Sequence, residues 1–172
     1  VSSRSDNTGA TPGIAVVWTQ NFSGGNTNGP ASTTGTALAA FPDASLTSDF
    51  VYGSSANLNA AFKLTGLDQS KYYNFVIFGG RASGGDVKST RYTITGLNTA
   101  KDSLDAALNS TTVATIYNIV PDANGEIRFA TTKATTNTSS SGYYYLNAVK
   151  MTINSNITTS LPATSEKKLN AI

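Results

Sequence analysis

The side chains with the clearest chemical potential are three consecutive tyrosines, Tyr143, Tyr144 and Tyr145, which follow a long polar loop. Sugars present flat faces of C–H bonds that stack on aromatic rings, while neighbouring polar groups bind their hydroxyls. Successive side chains of an extended chain point to opposite faces, so at least one ring should stay outside the core. Tyr145 shares its face with the apolar residues of the strand that follows. We therefore expect Tyr143 or Tyr144 to be the exposed ring.

A glycine-rich loop, residues 79–86, adds charged groups to this picture. Arg81 and Asp86 lie in it, and Arg91 follows shortly after. The planar fork of an arginine can bind two vicinal hydroxyls or the carboxylate of a uronic acid. Arg81 and Asp86 could equally pair across the loop and hold its shape. No strand-to-helix context surrounds these glycines, so the pattern does not indicate a phosphate-binding loop.

A second polar loop, residues 19–35, has almost nothing to bury and contains Asn26 and Asn28. Loops of this length are usually functional or mobile. Trp18 stands just before this loop, at the end of a predicted strand. The alternation of that strand indicates a core position for Trp18, but its ring is a further candidate for stacking on a sugar. The candidate ligand-binding residues are Tyr143, Tyr144, Arg81, Asp86, Arg91, Asn26, Asn28 and Trp18.

Most catalytic chemistry is excluded by composition. The chain has no histidine and no cysteine, which removes disulfides, thiolate zinc sites, cysteine nucleophiles and every mechanism that uses histidine. Glu126 and Glu166 are the two glutamates, and Ser165 and Lys168 match Ser-x-x-Lys in letters only. An esterase or glycosidase would need an activated serine or paired carboxylates in a cleft. We predict that the chain is not an enzyme.

No cofactor is indicated by any motif. The segment Asp122–Glu126 lacks the spacing of a calcium loop and is typical of a hairpin turn, because Asn-Gly supplies the positive φ values that such turns need. Calcium held by loop carbonyls leaves little sequence trace. The sequence therefore leaves a structural calcium ion open.

The distribution of charge and the lack of a long apolar run argue against two classes of partner. Twelve Lys and Arg against ten Asp and Glu give a net charge of +2, and the basic residues are scattered. Binding to nucleic acid needs several cations on one stripe. No apolar run approaches the roughly 20 residues of a membrane-spanning helix. We expect neither nucleic-acid binding nor membrane insertion.

The elements that must position these residues are short strands. The chain has 172 residues, enough for one core, and it is rich in threonine, serine, asparagine and glycine with only 13% charged residues. Strands recur about every ten residues between turn signals, which predicts an all-β antiparallel β-sandwich. Residues 103–108 could locally be a helical turn or a strand. The predicted strands cover residues 14–18, 49–52, 60–65, 72–78, 90–95, 113–120, 126–131 and 143–153.

The ends of the chain differ in composition from its middle. Residues 1–12 are polar, and residues 154–172 are rich in Ser, Thr and Asn. Such segments are typical of linkers. We predict an incoming linker over 1–12, a β-sandwich module over 13–153 and a linker over 154–172 towards a missing C-terminal domain.

Five segments carry a resemblance to a known family. They are Phe22–Gly29, Phe62–Arg81, Thr90–Gly96, Pro121–Ile127 and Gly142–Met151. Together they resemble a β-sandwich module of secreted multi-domain proteins of Bacteroidetes, which often stands beside polysaccharide-degrading enzymes and is similar to galactose-binding-like jelly rolls and carbohydrate-binding modules. The resemblance implies a strand over residues 103–108. Lys167–Ile172 is similar to the approach to a C-terminal secretion-sorting domain, which implies an exported protein.

Three functions can be weighed on this basis. The leading hypothesis is a non-catalytic module, secreted or at the cell surface, that binds a polysaccharide or oligosaccharide and holds an attached catalytic domain at its substrate. The second is a structural spacer or adhesion domain without a glycan site. The third, an enzyme in its own right, would require a cleft with paired carboxylates or an activated serine.

Overall fold

The computed structural model describes residues 13–57 and 59–157 as an antiparallel all-β fold with one short α-helix and one 3-10 turn. The helix α1 spans Gly35–Ala40, and the 3-10 turn spans Ala44–Leu46. The strands are β1 (Ala15–Gln20), β2 (Gly24–Asn26), β3 (Phe50–Gly53), β4 (Ala60–Thr65), β5 (Tyr72–Phe78), β6 (Ser89–Thr95), β7 (Thr99–Asp105), β8 (Ala114–Ile119), β9 (Ile127–Lys133), β10 (Tyr144–Leu146) and β11 (Ala148–Asn154).

One layer is a five-stranded sheet in the order β1-β4-β9-β6-β7. Its strands alternate apolar and polar residues, as expected where one face is buried and the other faces water. Tyr92 and Ile94 of β6, and Ile127 and Phe129 of β9, are fully buried. The predicted inward positions of these four residues are therefore confirmed.

The other layer consists of two three-stranded sheets, β10-β3-β2 and β11-β5-β8. Strand β5 is apolar on both faces and lies at the centre of the second of these, as predicted. The rings of Phe62 and Phe129 stack in the first layer at 4.7 Å, and Phe75 of β5 meets Phe129 edge-on at 6.5 Å. These contacts join the two layers into one core. The predicted fold class, an antiparallel β-sandwich, is confirmed.

Three details differ from the sequence prediction. The predicted loop over residues 19–35 contains β2, which pairs with β3. The strand in the ambiguous segment spans Thr99–Asp105, and Leu108 has a φ of 55°, a conformation that ends an extended chain. The predicted strand over 143–153 is broken at Asn147, because its two halves pair with different partners, β10 with β3 and β11 with β5.

The predicted linkers fall mostly outside the described residues. Residues 1–12 and 158–172 are not described, whereas Asn154 is still a strand residue paired with Tyr72. Within residues 13–57 and 59–157, no helix has the length and apolar character to cross a membrane.

Candidate functional site

A cleft of about 220 Å³ opens at one end of the sandwich, between β2, β3, the start of β10 and the glycine-rich loop. Sites that enclose a drug-sized ligand usually measure roughly 300–1,000 Å³, so this cleft suits a smaller chemical group. It is lined by aromatic, amide and guanidinium side chains. These are Asn26, Asn28, Phe50, Tyr52, Arg81, Tyr143 and Tyr145.

Four aromatic rings form the apolar part of the cleft. Phe50 meets Tyr145 edge-on at 5.1 Å, and Tyr52 meets Tyr143 edge-on at 5.7 Å. Tyr143 and Tyr145 lie 6.3 Å apart in a tilted pair. Edge-to-face pairs at such distances are favourable and fix ring orientation. The wall of the cleft is therefore held in place before any ligand binds.

Tyr143 is the ring of the tyrosine triplet that stays partly exposed. Gly142 precedes it with a φ of 61°, a conformation that glycine adopts without strain. The Asn137 amide donates to the Tyr143 carbonyl at 2.7 Å and to the Ser89 carbonyl at 3.0 Å. The backbone of Tyr143 is thus anchored, and its ring projects into the cleft from a fixed base.

Arg81 reaches the cleft from the glycine-rich loop. Its backbone N–H donates to the Ala106 carbonyl at 2.9 Å, which fixes where the side chain starts. Its Nη1 donates to the Tyr145 hydroxyl at 3.1 Å, and its Nε donates to Ser83 Oγ at 3.1 Å. Burial raises the pKa of Tyr145 and the Arg81 hydrogen bond opposes that shift. Tyr145 therefore stays protonated at neutral pH and can itself donate a hydrogen bond.

The asparagine loop closes the other side. Asn26 stands opposite Phe50 in the β2–β3 ladder, and the Asn28 carbonyl accepts from the Ala82 N–H at 2.9 Å. Next to it, a Cβ on Gly29 would lie 2.4 Å from the Thr47 carbonyl oxygen, so only glycine allows this close approach. The side chains of Asn26 and Asn28 are exposed. Their amides are available as donors and acceptors at the mouth of the cleft.

The expectation that Tyr144 could be the exposed ring is wrong. Tyr144 is fully buried. Both faces of β10 are covered by other parts of the protein, so successive side chains of this strand are all buried. The ring lies directly over Gly53, approaches Phe22 at 6.3 Å, and its hydroxyl donates to the Asn57 carbonyl at 2.6 Å. Tyr144 supports the strand that presents Tyr143 and does not line the cleft.

Asp86 and Arg91 are engaged elsewhere. The Asp86 carboxylate forms an ion pair with the buried Lys88, and this hydrogen bond holds the pKa of Asp86 below its usual range. The predicted alternative of an Arg81–Asp86 pair is therefore wrong. Arg91 alternates with the inward-facing Tyr92 on β6, so it lies on the outer face of the five-stranded sheet, where its Nη2 is 3.5 Å from Thr135 Oγ1. Neither residue lines the cleft.

Trp18 lies apart from the cleft, on the edge strand β1. It stands opposite Phe62 in the ladder, as the predicted core position requires, but it is 54% exposed. The second layer does not cover this edge. Its ring meets Phe22 edge-on at 6.0 Å and Phe62 at 5.4 Å. The expectation of a core tryptophan is wrong, and the structure does not bring it together with Arg81 or Tyr143.

Sequence reasoning missed three residues of the cleft. Phe50 and Tyr52 alternate on β3, so both face the same side, and Tyr145 stands opposite Tyr52 in the β3–β10 ladder. The alternation was visible in the sequence, but the pairing of β3 with β10 was not, since these strands are almost a hundred residues apart. Tyr145 is buried, as predicted, and its hydroxyl also reaches the cleft.

The predicted turn at Asp122–Glu126 is present. The Asp122 carboxylate accepts from the backbone N–H groups of Asn124 and Glu126, each at 2.9 Å, and Gly125 has a φ of 69°. Across residues 13–57 and 59–157, no three side chains of His, Cys, Asp and Glu converge as metal ligands. A structural calcium ion bound by loop carbonyls stays a sequence-based hypothesis.

No protein-family model matches the chain, and no curated protein sequence matches it either. Among solved structures, the chain is similar to the ANXUR1 extracellular domain from Arabidopsis thaliana, with a TM-score of 0.54 and 14% identity over 83% of this chain. The chain spans 41% of that extracellular domain. At this identity the likeness shows the fold alone.

Two further structures have lower scores. The carbohydrate-binding module TmCBM61, solved in complex with β-1,4-galactotriose, has a TM-score of 0.41 and 10% identity over 84% of this chain and 91% of its own. The F5/8 type C domain of a Bacteroides fragilis protein has a TM-score of 0.35 and 12% identity over 83% of this chain and 91% of its own. At these scores neither structure carries an argument about the fold or the function of this chain.

Proposed function

We propose that the chain is a non-catalytic module that binds a polysaccharide or oligosaccharide in the cleft between Arg81 and Tyr143. The observation that carries this proposal is the combination, in one cleft, of a partly exposed ring with a guanidinium and two exposed amides. A sugar ring can stack on Tyr143 while its hydroxyls accept from Arg81 and exchange hydrogen bonds with Asn26 and Asn28. The small volume suits one sugar unit of a longer chain.

Binding at such a site is weak, because one stacking contact and a few hydrogen bonds must offset the cost of ordering the ligand. A polymer repeats the same unit and a multi-domain protein supplies further sites, so avidity raises the overall affinity. This is the setting that the resemblance to secreted Bacteroidetes modules implies. We accordingly propose a secreted or cell-surface protein in which the module holds an attached catalytic domain at its substrate, ahead of a C-terminal sorting domain.

The module itself has no catalytic role in this proposal. A glycosidase places two carboxylates on either side of the scissile bond, whereas none of the described residues that line the cleft is Asp or Glu. The cleft can position a sugar and exclude part of its water shell. The residues that remain as proposed ligand contacts are Tyr143, Arg81, Asn26 and Asn28.

The test is affinity electrophoresis and pull-down on a panel of neutral and acidic plant and algal polysaccharides, with and without chelator. We expect retention on one polymer class, and Tyr143→Ala should weaken it about tenfold, since stacking contributes on the order of 1 kcal/mol or more. Tyr72→Ala is the matched control, because Tyr72 is a partly buried tyrosine of β5 that does not line the cleft.

Two outcomes would contradict the proposal. Retention on no polymer would favour the spacer or adhesion function, in which the polar loops are simply solvated. Retention that Tyr143→Ala and Tyr72→Ala weaken equally would place the binding site outside the cleft. Loss of binding on addition of chelator would show that calcium takes part.

A further inference from the structure

Among the described residues, Arg81 has no acidic partner. It is partly buried, and both of its hydrogen-bond partners, Ser83 Oγ and Tyr145 Oη, are neutral hydroxyls. Within the part of the chain that the structure describes, the ion pairs are Lys63 with Glu126 and Lys88 with Asp86, and neither involves Arg81. A guanidinium withdrawn from water and left unpaired carries a desolvation cost.

Asp86, the acidic residue nearest to Arg81 in the sequence, does not neutralise the charge of Arg81. Asp86 lies on the same loop, but its carboxylate is bound to Lys88, which is almost completely buried. Moving Asp86 to Arg81 would leave the buried ammonium of Lys88 unpaired, which is the costlier arrangement. Residues 81–88 therefore contain two cations and one anion, and the excess charge is at Arg81.

The rest of the cleft is neutral. Its other lining residues are two asparagines, Phe50 and three tyrosines, none of which is an acidic or a further basic residue, and burial raises the pKa of Tyr145 further above neutral pH. Apolar walls strengthen the attraction between a charge inside the cleft and an incoming ion. Of the five N–H groups of the guanidinium, two are used by Ser83 and Tyr145. Nη2 has no acceptor among residues 13–57 and 59–157, so it can donate to a ligand.

We propose, on the basis of the proposed function, that the sugar bound in this cleft carries an anionic group, and that Arg81 binds that group while Tyr143 stacks on the ring. The carboxylate of a uronic acid and a sulfate ester share the required chemistry, a compact anion with several acceptor oxygens. Arg81 thereby sets specificity for acidic over neutral polysaccharides, and the asparagines serve the hydroxyls of either.

The experiment compares polymers that differ in the anion alone. Polygalacturonate is tested against the same polymer after reduction of its carboxyl groups, and a sulfated galactan is tested against its desulfated form. We expect binding of one acidic member with at least tenfold lower affinity for its neutral counterpart, since a hydrogen bond to a charged group is worth about ten- to a hundredfold. The pair that shows the difference identifies carboxylate or sulfate as the anion.

Variants assign the effect to Arg81. Arg81→Gln keeps an amide that can donate to Tyr145 but removes the charge, and it should weaken binding of the acidic polymer at least tenfold. Arg81→Lys should restore part of the affinity, because it keeps the charge without the fork. Arg91→Gln removes the same charge from the outer face of the sheet, so it should leave affinity within about twofold. Near-UV circular dichroism confirms that each variant is folded.

Each remaining outcome overturns the inference in a recognisable way. Equal binding of the acidic polymer and its neutral counterpart, unchanged in Arg81→Gln, would leave the proposed function intact and refute the anionic ligand. Equal losses in Arg81→Gln and Arg91→Gln would show non-specific attraction of the whole surface. Binding of no polymer would refute the proposed function, and with it this inference.

Discussion

Two regions of the molecule that expose aromatic rings, the cleft and the edge of β1, differ in what surrounds the rings. In the cleft, Tyr143 is surrounded by the guanidinium of Arg81 and the amides of Asn26 and Asn28. On the edge of β1, Trp18 is more exposed, but its ring contacts are with Phe22 and Phe62, and its neighbour on the same face is Val16. One region is concave and combines apolar and polar groups. The other is an apolar edge.

The difference shows what distinguishes a binding site from an uncovered edge. An exposed ring supplies stacking energy, but orientation and specificity come from polar groups around it. Residues behind the cleft also hold its rings in place. The Tyr144 ring packs over Gly53, and the Asn137 amide donates a hydrogen bond to the Tyr143 carbonyl. Single exposed apolar side chains are ordinary in soluble proteins. Trp18 is therefore the weaker candidate despite its larger ring.

The largest expected effect concerns the support behind the cleft. A Cβ at position 53 would lie 1.9 Å from Cζ of the buried Tyr144 ring, so Gly53→Ala forces β3 and β10 apart. Overpacking of this kind costs about 3 kcal/mol. We expect a loss of that size in the free energy of unfolding, measured by urea denaturation, together with loss of polysaccharide binding.

The control and the double variant make this prediction specific. A Cβ at Gly85 has nothing within 4 Å, so Gly85→Ala should change stability by less than about 0.5 kcal/mol. In a Tyr144→Ala background the clash disappears, and Gly53→Ala should then cost much less than it does in the wild-type chain. Additive costs would show that Tyr144 is not what the new methyl group meets.

A second prediction concerns the pH dependence of the free energy of unfolding, to which tyrosines beside the cleft contribute and the rings at the edge of β1 do not. Burial raises the pKa of Tyr73, Tyr92, Tyr144 and Tyr145, the last two of which belong to the strand beside the cleft. Above pH 10 the unfolded chain releases these protons while the folded chain keeps them, so the unfolded state binds fewer protons. Stability is then complete below pH 10 and falls as pH rises, by up to about 1.4 kcal/mol per pH unit for each tyrosine.

Urea unfolding between pH 9 and 12 measures the slope. Tyr145→Phe removes one of the four groups and should make the slope shallower, even though its loss of the Arg81 hydrogen bond lowers stability at every pH. The ring contacts of the edge residue Trp18 are with Phe22 and Phe62 and not with any of the four tyrosines, so Trp18→Phe should leave the slope unchanged. A slope that does not respond to Tyr145→Phe would mean that Tyr145 titrates equally in both states.

Much of the fold was predictable because it depends on local pattern. The alternation of β4, β6 and β9, the apolar run of β5 and the Asn-Gly turn at residues 124–125 each identify their element from a few neighbouring residues. Strand β2 escaped prediction because Gly24 and Gly25 have no pattern of their own. They are extended because they pair with β3, and a Cβ on Gly24 would lie 3.0 Å from the Tyr52 hydroxyl.

The candidate site was also predictable only as far as local sequence pattern determines it. The sequence identified Arg81, Tyr143, Asn26 and Asn28 from residue type and loop context, and the structure brings these four together. It could not distinguish Tyr143 from Tyr144, because a period of two indicates which side chains share a face but not whether both faces are covered. It could not identify Asp86 as the partner of Lys88, since that choice depends on the burial of Lys88.

The smallest expected effect is the sharpest test of the comparison, because the chain has a single tryptophan and it lies on the edge. Saturation of the cleft with a bound polysaccharide should leave the emission maximum of Trp18 and its quenching by acrylamide unchanged, since the ligand covers Tyr143 and not β1. Trp18→Ala should likewise change affinity by less than about twofold, although it lowers the free energy of unfolding by about 1 kcal/mol through its lost contact with Phe62. If the ligand instead protected Trp18 from acrylamide and Trp18→Ala weakened binding as much as Tyr143→Ala, the apolar edge would be the stacking surface, and the polar groups of the cleft would not be what selects the ligand.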